Sequence, residues 1–211
     1  FNDFMDVILG IESSNTDWGE WIENYENYGA IGPSQIMYFN FPKWMEDSGY
    51  NWNKYYNSMT SGQKKFWDDN IDQSGYNVPP TGKLNIADLA HPPKADTRGS
   101  LMAALLRTVG ATDGKILKKM TEDKFDEYFT KHGDWAKVAA LWNGGEANLP
   151  PYTSEKVKVY VELALGDFLM MKESCLLLKK LVKFSSKLDE KKLKKESRAM
   201  DRSLRVFISR L

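Results

Sequence analysis

The stretch FNDFMDVILGIES, residues 1–13, indicates both how this chain folds and where its chemistry lies. Phe4, Ile8 and Ile11 recur at helical spacing, so the stretch predicts an amphipathic helix. Glu12 follows this apolar stripe directly, where the helix meets a polar loop. A carboxyl group beside an apolar surface is poorly solvated, which raises its pKa and lets it donate a proton near neutral pH. The alternative is a solvated glutamate at a helix end.

The same periodicity recurs along the body of the chain and indicates an all-α fold. Apolar residues repeat every three to four positions, the spacing that places them on one face of a helix. No stretch alternates with the period of two that is typical of a half-buried β-strand. Besides the first helix, the pattern predicts helices over residues 97–109, 121–131, 134–142 and 154–168.

Capping residues mark the ends of these helices. Thr121 stands at the predicted N-cap of one helix and Asp134 at that of the next, while Thr153 or Ser154 begins the last. Gly110 is a stop signal after residue 109. The last helix carries an apolar stripe made of Val157, Tyr160, Val161, Ala164, Leu165 and Phe168.

Two segments lack this clear pattern. Residues 47–94 are rich in Asn, Tyr, Trp, Gly and Pro, which predicts a long irregular insertion with short helical pieces such as 61–70. A loop of this length is uncommon unless it is functional, so we expect either one wall of a cleft or a decorated surface loop. Earlier in the chain, Pro33 suits the first position of a helix, and Gly29 and Gly32 allow close backbone approach.

The composition excludes several classes of protein. With 211 residues, 42% of them hydrophobic, the chain can bury a core as one domain with an appendage or as two small domains. No run of about 18 apolar residues predicts a transmembrane segment, and no secretory signal pattern appears at the start. The single cysteine, Cys175, excludes an intrachain disulfide. His91 and His132 lack the spacing of zinc ligands, so we expect no metal or other cofactor.

Charge is divided unevenly along the chain, although the net charge is zero. Residues 1–171 carry sixteen Lys or Arg and twenty-four Asp or Glu, whereas residues 172–211 carry thirteen and five. We therefore expect a body of residues 1–170 and a basic amphipathic helical tail of residues 171–211. Apolar residues of the tail step by four, three and four, which predicts the seam of a helical hairpin or coiled coil: Leu177, Leu181, Phe184, Leu188 and then Met200, Leu204, Phe207, Leu211.

Four short motifs occur in order along the body. They are Ile11-Glu12-Ser13, residues 29–37 (GAIGPSQIM), residues 139–145 (AALWNGG) and Val159-Tyr160-Val161. With these motifs the chain resembles the lytic transglycosylases of the soluble lytic transglycosylase and goose-type lysozyme family, over residues 1 to about 165. The resemblance implies a lysozyme-like transglycosylase fold for the body.

The resemblance also implies roles for five residues. Glu12 matches the single catalytic acid and base of the family, and Ser13 matches the serine that helps to hold the sugar and the acid. Gln35 and Asn143 match two amides that contact the sugar, and Tyr160 matches the tyrosine whose hydroxyl points toward the catalytic glutamate. Each of the last three has an alternative: Gln35 as an amide that satisfies loop backbone, Asn143 as a helix C-terminal residue, and Tyr160 as part of the core.

The sequence departs from the family pattern at two places. Pro33-Ser34 replaces Leu-Met before the glutamine, which affects the backbone there, and Trp142 replaces a tyrosine and so lacks its hydroxyl. A second carboxylate is not evident either. Asp17, Glu20 and Glu23 lie near Glu12 in sequence, but a solvated loop is the simpler interpretation of these residues.

The reaction implied by the resemblance is cleavage of the β-1,4 bond between N-acetylmuramic acid (MurNAc) and N-acetylglucosamine (GlcNAc). Glu12 first protonates the leaving oxygen and then removes the proton of the muramoyl 6-hydroxyl, which closes a 1,6-anhydro ring. One carboxylate suffices if the substrate's acetamido group assists. If water reaches C1 instead, the same site is a hydrolysing muramidase. A third alternative is an inactive glycan-binding or virion structural module.

The resemblance also implies which molecules the protein binds. The substrate is the glycan strand of bacterial peptidoglycan, so the protein acts on the cell wall in an extracellular, periplasmic or virion-associated setting. A protein assembly partner is an alternative role for the C-terminal helices. We expect no specific nucleic acid. A small lytic domain joined to basic helical material suggests a phage-encoded protein.

Overall fold

The computed structural model describes residues 2–14, 17–18, 29–72, 78–145, 149 and 154–185, with side chains up to residue 181 at the C-terminal end. These residues form eight α-helices, which confirms the predicted all-α class, and two single-turn 3-10 helices at Tyr38–Asn40 and Ile86–Asp88. Among them, β-structure is confined to an isolated bridge between Ile31 and Ile36. The α-helices are α1 (Asn2–Ser13), α2 (Phe41–Asp47), α3 (Trp52–Ser58), α4 (Ser61–Asn70), α5 (Arg98–Thr108), α6 (Gly114–His132), α7 (Trp135–Gly144) and α8 (Glu155–Ser185).

Side-chain caps confirm three of the predicted helix starts. The Thr97 side chain accepts a hydrogen bond of 3.2 Å from the first turn of α5. Asp134 does the same for α7 at 2.9 Å, and Ser154 for α8 at 3.3 Å. Each cap satisfies a backbone N–H that has no partner within its helix. The sequence therefore located these helix ends from local chemistry alone.

The helix predicted over residues 121–131 is longer than predicted, and Thr121 is not its N-cap. α6 begins at Gly114, and Asp113 caps it by accepting a hydrogen bond of 2.9 Å. Thr121 is fully buried inside the helix, where its hydroxyl donates to the carbonyl of Leu117 at 2.8 Å. The extra turns form because their apolar side chains extend the buried face of the helix: Ile116, Leu117 and Met120.

The segment 47–94 contains more helix than predicted, because its first half holds α3 as well as the expected piece at 61–70. α4 coincides with the predicted helical piece, whereas α3 was not predicted. Thr60 and Gln63 form a reciprocal capping box at the start of α4. The rings of Trp52 and Trp67 are buried 5.0 Å apart. Aromatic residues that suggested a loop thus stabilise two helices, because core packing overrides weak helix propensity.

The segment around Pro33 is a tight turn, which corrects the prediction that Pro33 begins a helix. Ile31 and Ile36 exchange two backbone hydrogen bonds of 2.9 Å, and the amide of Gln35 donates to the carbonyl of Gly32 at 3.0 Å. Pro33 therefore occupies the second position of a four-residue turn. Its fixed φ angle suits that position as well as it suits the first turn of a helix, so local preference does not distinguish the two.

α5 lies at the centre of the core. Its residues 98–106 are all buried, and a helix that is buried on every side must be surrounded by other elements. The turn around Pro33 and the helices α2, α3, α4 and α6 supply that surrounding layer. Their contribution to the core, with neighbouring loop residues, is Ile31, Ile36, Tyr38, Phe41, Met45, Trp52, Met59, Phe66, Trp67, Leu89, Ile116, Leu117 and Met120.

Aromatic rings join α1 to α6 and α7. The ring centroid of Phe4 lies 4.6 Å from that of Trp135, which stacks on Phe129 at 4.1 Å. Phe4 and Ile8 of the predicted stripe are fully buried, and Ile11 is half-buried. Ring contacts of this kind stabilise helix packing beyond the apolar area that they bury. They hold the first turn of α1 against α7.

The chain divides into two compact units, Phe1–Leu165 and Gly166–Leu211. α8 contributes to both units. In the first unit its predicted apolar stripe is buried at Val157, Tyr160, Val161 and Ala164. None of the helices in the described part of the chain is long and apolar enough to cross a membrane.

The predicted seam of the tail lies only partly within the described residues. Leu177 and Leu181 are each 60% exposed on α8. The side chain of Phe184 and all of Leu188, Met200, Leu204, Phe207 and Leu211 lie outside the described residues, so the predicted hairpin or coiled coil stays a prediction.

Candidate active site

The last turn of α1 presents Glu12 at a helix end, as the sequence predicts. The backbone N–H of Ser14 donates to the carbonyl of Gly10 at 2.9 Å, and Ser14 itself has left-handed backbone with φ of 55°. This conformation terminates the helix just after Glu12. The buried residues of α1 lie in the preceding turns, and Glu12 is half-buried.

Tyr160 contacts Glu12. The Tyr160 hydroxyl donates a hydrogen bond to Oε1 of Glu12 at an O···O distance of 2.6 Å. Tyr160 lies on the buried stripe of α8 and is 9% exposed. The two residues are 148 positions apart in sequence, so the contact depends on how α1 and the start of α8 pack within the first unit. The geometry is the one that the family resemblance implied for this pair.

Burial gives the pair its electrostatic character. Desolvation raises the pKa of Glu12 above its ordinary value of 4.5, and the hydrogen bond from Tyr160 opposes this effect in part. The pKa of Tyr160 is raised as well, by burial and by the neighbouring carboxylate. The tyrosine therefore stays protonated and acts as a donor. The arrangement favours a neutral Glu12 carboxyl that can release its proton to a bound group.

Ser13 directs its hydroxyl back along α1. Its Oγ donates to the carbonyl of Leu9 at 3.1 Å, a common contact for serine within a helix. The resemblance implied that this serine helps to hold the sugar and the acid. In the structure its position beside Glu12 is fixed by α1 itself, so a role toward the sugar stays a prediction.

Gln35 is held by its own turn. Its backbone is left-handed, with φ of 54°, and its side-chain Nε2 donates to the carbonyl of Gly32 at 2.9 Å. The amide thus satisfies loop backbone, which is the structural alternative to sugar binding. The same contact orients the side chain, since it engages one of the two N–H donors of Nε2 and thereby fixes the direction of the Oε1 acceptor.

Contacts with α5 and α6 fix this turn in place. Ser34 is fully buried, and its hydroxyl lies 2.7 Å from the Thr121 hydroxyl. Because Thr121 donates to the carbonyl of Leu117, Ser34 is the donor in this pair. A Cβ atom on Gly29 would lie 2.1 Å from the backbone of Gly99, so only glycine fits there. Ser34, one of the positions that depart from the resemblance, is thus half of a buried hydroxyl pair.

Asn143 occupies an exposed position in the last turn of α7, which Gly145 terminates with φ of 72°. This position agrees with its alternative as a helix C-terminal residue. The preceding Trp142 packs against the ring of Phe125 at 4.5 Å and the ring of Trp44 at 5.6 Å. Trp142, where the resemblance expects a tyrosine, therefore fills an aromatic cluster between helices.

Of the five predicted residues, the structure joins Glu12 and Tyr160 by a hydrogen bond. Within the described ranges, Gln35 and Asn143 form no hydrogen bond with either of them. The Ser34–Thr121 pair is not predictable from local pattern, because a hydroxyl partner 87 positions away leaves no local signal. By sequence alone, Ser34 is a departure from the resemblance and Thr121 a helix cap.

Asp17, one of three candidates for a second carboxylate, is exposed, and Glu20 and Glu23 lie outside the described residues. No three His, Cys, Asp or Glu side chains in the described part of the chain are grouped so that they could hold a metal ion. Glu12 is the carboxyl group that the described geometry places in a desolvated setting with a hydrogen bond from a buried tyrosine.

Comparison with known proteins adds no relative. No family model, no curated protein and no solved structure matches this chain.

Proposed function

We propose that the chain is a lytic transglycosylase that cleaves the MurNAc-β-1,4-GlcNAc bond of peptidoglycan, with Glu12 as its single acid and base. The observation that carries the proposal is the 2.6 Å hydrogen bond between the Tyr160 hydroxyl and the desolvated Glu12 carboxyl. This bond joins the first and the last of the four motifs. A buried carboxyl that a second residue orients is suited to general acid catalysis.

The first step is proton donation. Tyr160 donates to Oε1 of Glu12, so Oε2 is the oxygen that carries the acid proton. Glu12 passes this proton to the glycosidic oxygen as the C1–O bond breaks, and the GlcNAc side leaves as an alcohol. The substrate's own acetamido group and the new carboxylate stabilise the positive charge that develops at C1.

The second step returns the proton. The Glu12 carboxylate accepts the proton of the muramoyl C6 hydroxyl, and the C6 oxygen forms a bond to C1. The product carries a 1,6-anhydro ring, and Glu12 is protonated again for the next cycle. Because the nucleophile belongs to the same sugar, the step gains from a high effective concentration. One protein carboxylate is therefore enough.

The turn that carries Gln35 supports a substrate-binding role. A non-glycine residue with left-handed backbone is uncommon, and such conformations cluster at functional sites. The Gln35 Oε1 acceptor suits a sugar hydroxyl or an amide N–H. Ser13 and Asn143 complete the proposed sugar contacts. A peptidoglycan substrate places the working protein at the bacterial wall, either outside the cell, in the periplasm or on a virion.

Digestion of purified peptidoglycan tests the proposal. We expect the wild-type chain to release muropeptides with 1,6-anhydroMurNAc ends, identified by mass spectrometry. The Glu12→Gln variant keeps an oxygen that accepts the Tyr160 hydrogen bond but loses the proton, so its rate should fall by about 10²- to 10⁴-fold. The matched control is Asp6→Asn, an exposed carboxylate on the same helix, which should clear peptidoglycan at the wild-type rate.

Three other outcomes have distinct meanings. Release of reducing ends instead of anhydro ends would make the chain a hydrolysing muramidase with the same acid. Equal rates for wild type and Glu12→Gln would refute the assignment of Glu12. Binding of peptidoglycan without any cleavage would favour the inactive glycan-binding alternative.

A further inference from the structure

The second half of α8 exposes an unusual number of large apolar side chains. Six of them between residues 169 and 181 are 54% to 64% exposed: Leu169, Met170, Leu176, Leu177, Leu178 and Leu181. In the first half of the same helix, Val157, Tyr160, Val161 and Ala164 of the predicted stripe are buried, while two other large apolar residues, Val159 and Leu163, are 46% and 53% exposed. Exposed apolar residues that share one face of a helix, as Met170, Leu177 and Leu181 do, mark an interaction surface.

Four of the residues on this half of α8 define a straight stripe. Met170, Ser174, Leu177 and Leu181 step by four, three and four, which keeps them on one side of the helix. The order of these steps is the same when the stripe is read from either end. In an antiparallel pair, each stripe residue of one copy therefore lies opposite a stripe residue of the other. Met170 lies opposite Leu181, and the small Ser174 lies opposite Leu177.

We propose that this stripe binds the same stripe of a second copy of the chain, in an antiparallel pair centred between Ser174 and Leu177. Such an interface is isologous, since each copy contributes the same surface. The small Ser174 side chain gives Leu177 of the other copy room to approach. The pair buries apolar area that the described part of a single chain leaves in water.

Charges beside the stripe favour the antiparallel direction. Glu173 and Lys180 are exposed, and they flank the stripe on the same side because they are seven residues apart. In the antiparallel pair, Lys180 of one copy lies about 3 Å along the helix axis from Glu173 of the other, given a rise of about 1.5 Å per residue. Two reciprocal opposite-charge pairs result. In a parallel pair, Glu173 and Lys180 of one copy lie beside the opposite flank of the partner's stripe, so they do not meet each other.

The charge of residues 186–211 argues against the alternative that this segment of the same chain covers the stripe. Residues 186–211 contain nine Lys or Arg and four Asp or Glu, and residues 166–185 contain four and two. Folding the tail onto the stripe brings two basic segments together, which costs free energy. Residues 166–185 of a second copy bring less positive charge to the stripe than residues 186–211 would. They also supply the two opposite-charge pairs between Glu173 and Lys180.

Sedimentation equilibrium of the full chain over a range of concentrations tests the proposal, with reductant present so that Cys175 forms no cross-link. We expect a concentration-dependent dimer of twice 24.2 kDa. Leu177→Asp should raise the dissociation constant about tenfold or more, because it places a charge in the buried centre. Lys179→Asp, which introduces the same side chain on the opposite side of the helix, is the matched control and should leave the dimer intact.

Charge exchange tests the direction of the pair. Glu173→Lys and Lys180→Glu should each weaken the dimer by about threefold, and the double variant should restore it. A monomer at every concentration, or a dimer that Leu177→Asp does not weaken, would overturn the proposal. If Leu177→Asp lowers the melting temperature of a monomeric wild type, the stripe is covered within one chain. A double variant that remains weakened would rule out the antiparallel arrangement.

Discussion

Two opposing influences set the acidity of Glu12 at the scale of the single residue. Burial raises the pKa of its carboxyl, while the hydrogen bond from Tyr160 lowers it. An acid catalyst acts in its protonated form, so activity is lost as the pH rises through this pKa. Tyr160 thus affects both the orientation of the Glu12 carboxyl and the pH at which Glu12 loses its proton.

Tyr160→Phe separates these effects from simple packing. Loss of the hydrogen bond removes the influence that lowers the Glu12 pKa, so the alkaline limb of the activity profile should move to higher pH. The rate at the optimum should fall by about tenfold to a hundredfold, the value of a hydrogen bond to a charged group. A pH–rate profile on peptidoglycan measures both. Tyr56→Phe, which removes the hydroxyl of a half-buried tyrosine bonded to Asp68 at 2.9 Å, is the control. An unchanged alkaline limb in Tyr160→Phe would contradict this account.

The site was predictable from sequence to different degrees at different residues. Glu12 stood out because a carboxyl directly follows an apolar stripe, which is a local pattern. Tyr160 was named through the resemblance, and its stripe alone indicated only a core residue. The bond between the Gln35 amide and its own turn depends on the left-handed backbone of Gln35, and the Ser34 hydroxyl pair depends on a distant partner. No local pattern identifies either of them.

At the scale of the element, packing against other helices sets the backbone path of the turn of residues 29–36. It carries Gln35, and its path depends on how closely Gly29 approaches α5. Gly29 has φ of 62°, a conformation that most side chains disfavour, and a Cβ atom there would also collide with the backbone of Gly99. Backbone atoms inside a central helix cannot move aside at low cost.

Gly29→Ala should therefore destabilise the protein by about 3 kcal/mol or more, since overpacking adds to the cost of left-handed backbone. Gly110→Ala is the matched control, because Gly110 has φ of 76° but open space around its Cα. It should cost only about 1–2 kcal/mol. Urea denaturation of both variants measures the difference in free energy of unfolding. Equal losses would mean that the close approach of Gly29 to Gly99 contributes nothing.

Helices were predicted well where a cap and a stripe agree. The start of α5 follows from its apolar spacing, and the starts of α7 and α8 follow from Asp134 and Ser154, because a capping side chain acts on backbone only two or three residues away. α3 and the first turns of α6 were missed for the opposite reason. Their stability comes from burial against other helices, which outweighs the weak local preference of their residues.

At the scale of the whole molecule, the buried Glu12 couples stability to pH. Its folded pKa is raised, so the folded state holds the proton more tightly than the unfolded state does. The stabilising effect of that proton is complete below about pH 4.5 and is lost as the pH rises through the raised pKa. At higher pH the folded protein carries a poorly solvated carboxylate.

Replacing Glu12 with Gln should remove this dependence. We expect Glu12→Gln and wild type to have similar free energies of unfolding near pH 4, with the variant becoming more stable as the pH rises. The gap should approach about 1.4 kcal/mol for each pH unit by which the folded pKa exceeds its ordinary value. Denaturation at pH 4, 6 and 8 measures it, and exposed Asp6→Asn should follow the wild type. A gap that stays constant with pH would show that Glu12 is not desolvated.

The sequence by itself determined the all-α class, most helix ends and the position of an acidic residue after an apolar stripe. These features depend on residues a few positions apart, whose interactions form within one helix. Only the tertiary structure decided that Tyr160 meets Glu12, that Pro33 makes a turn, that Thr121 is buried and that the later leucines of α8 remain exposed. Each of these depends on free energy gained between distant segments, and no local spacing specifies which segments will pack together.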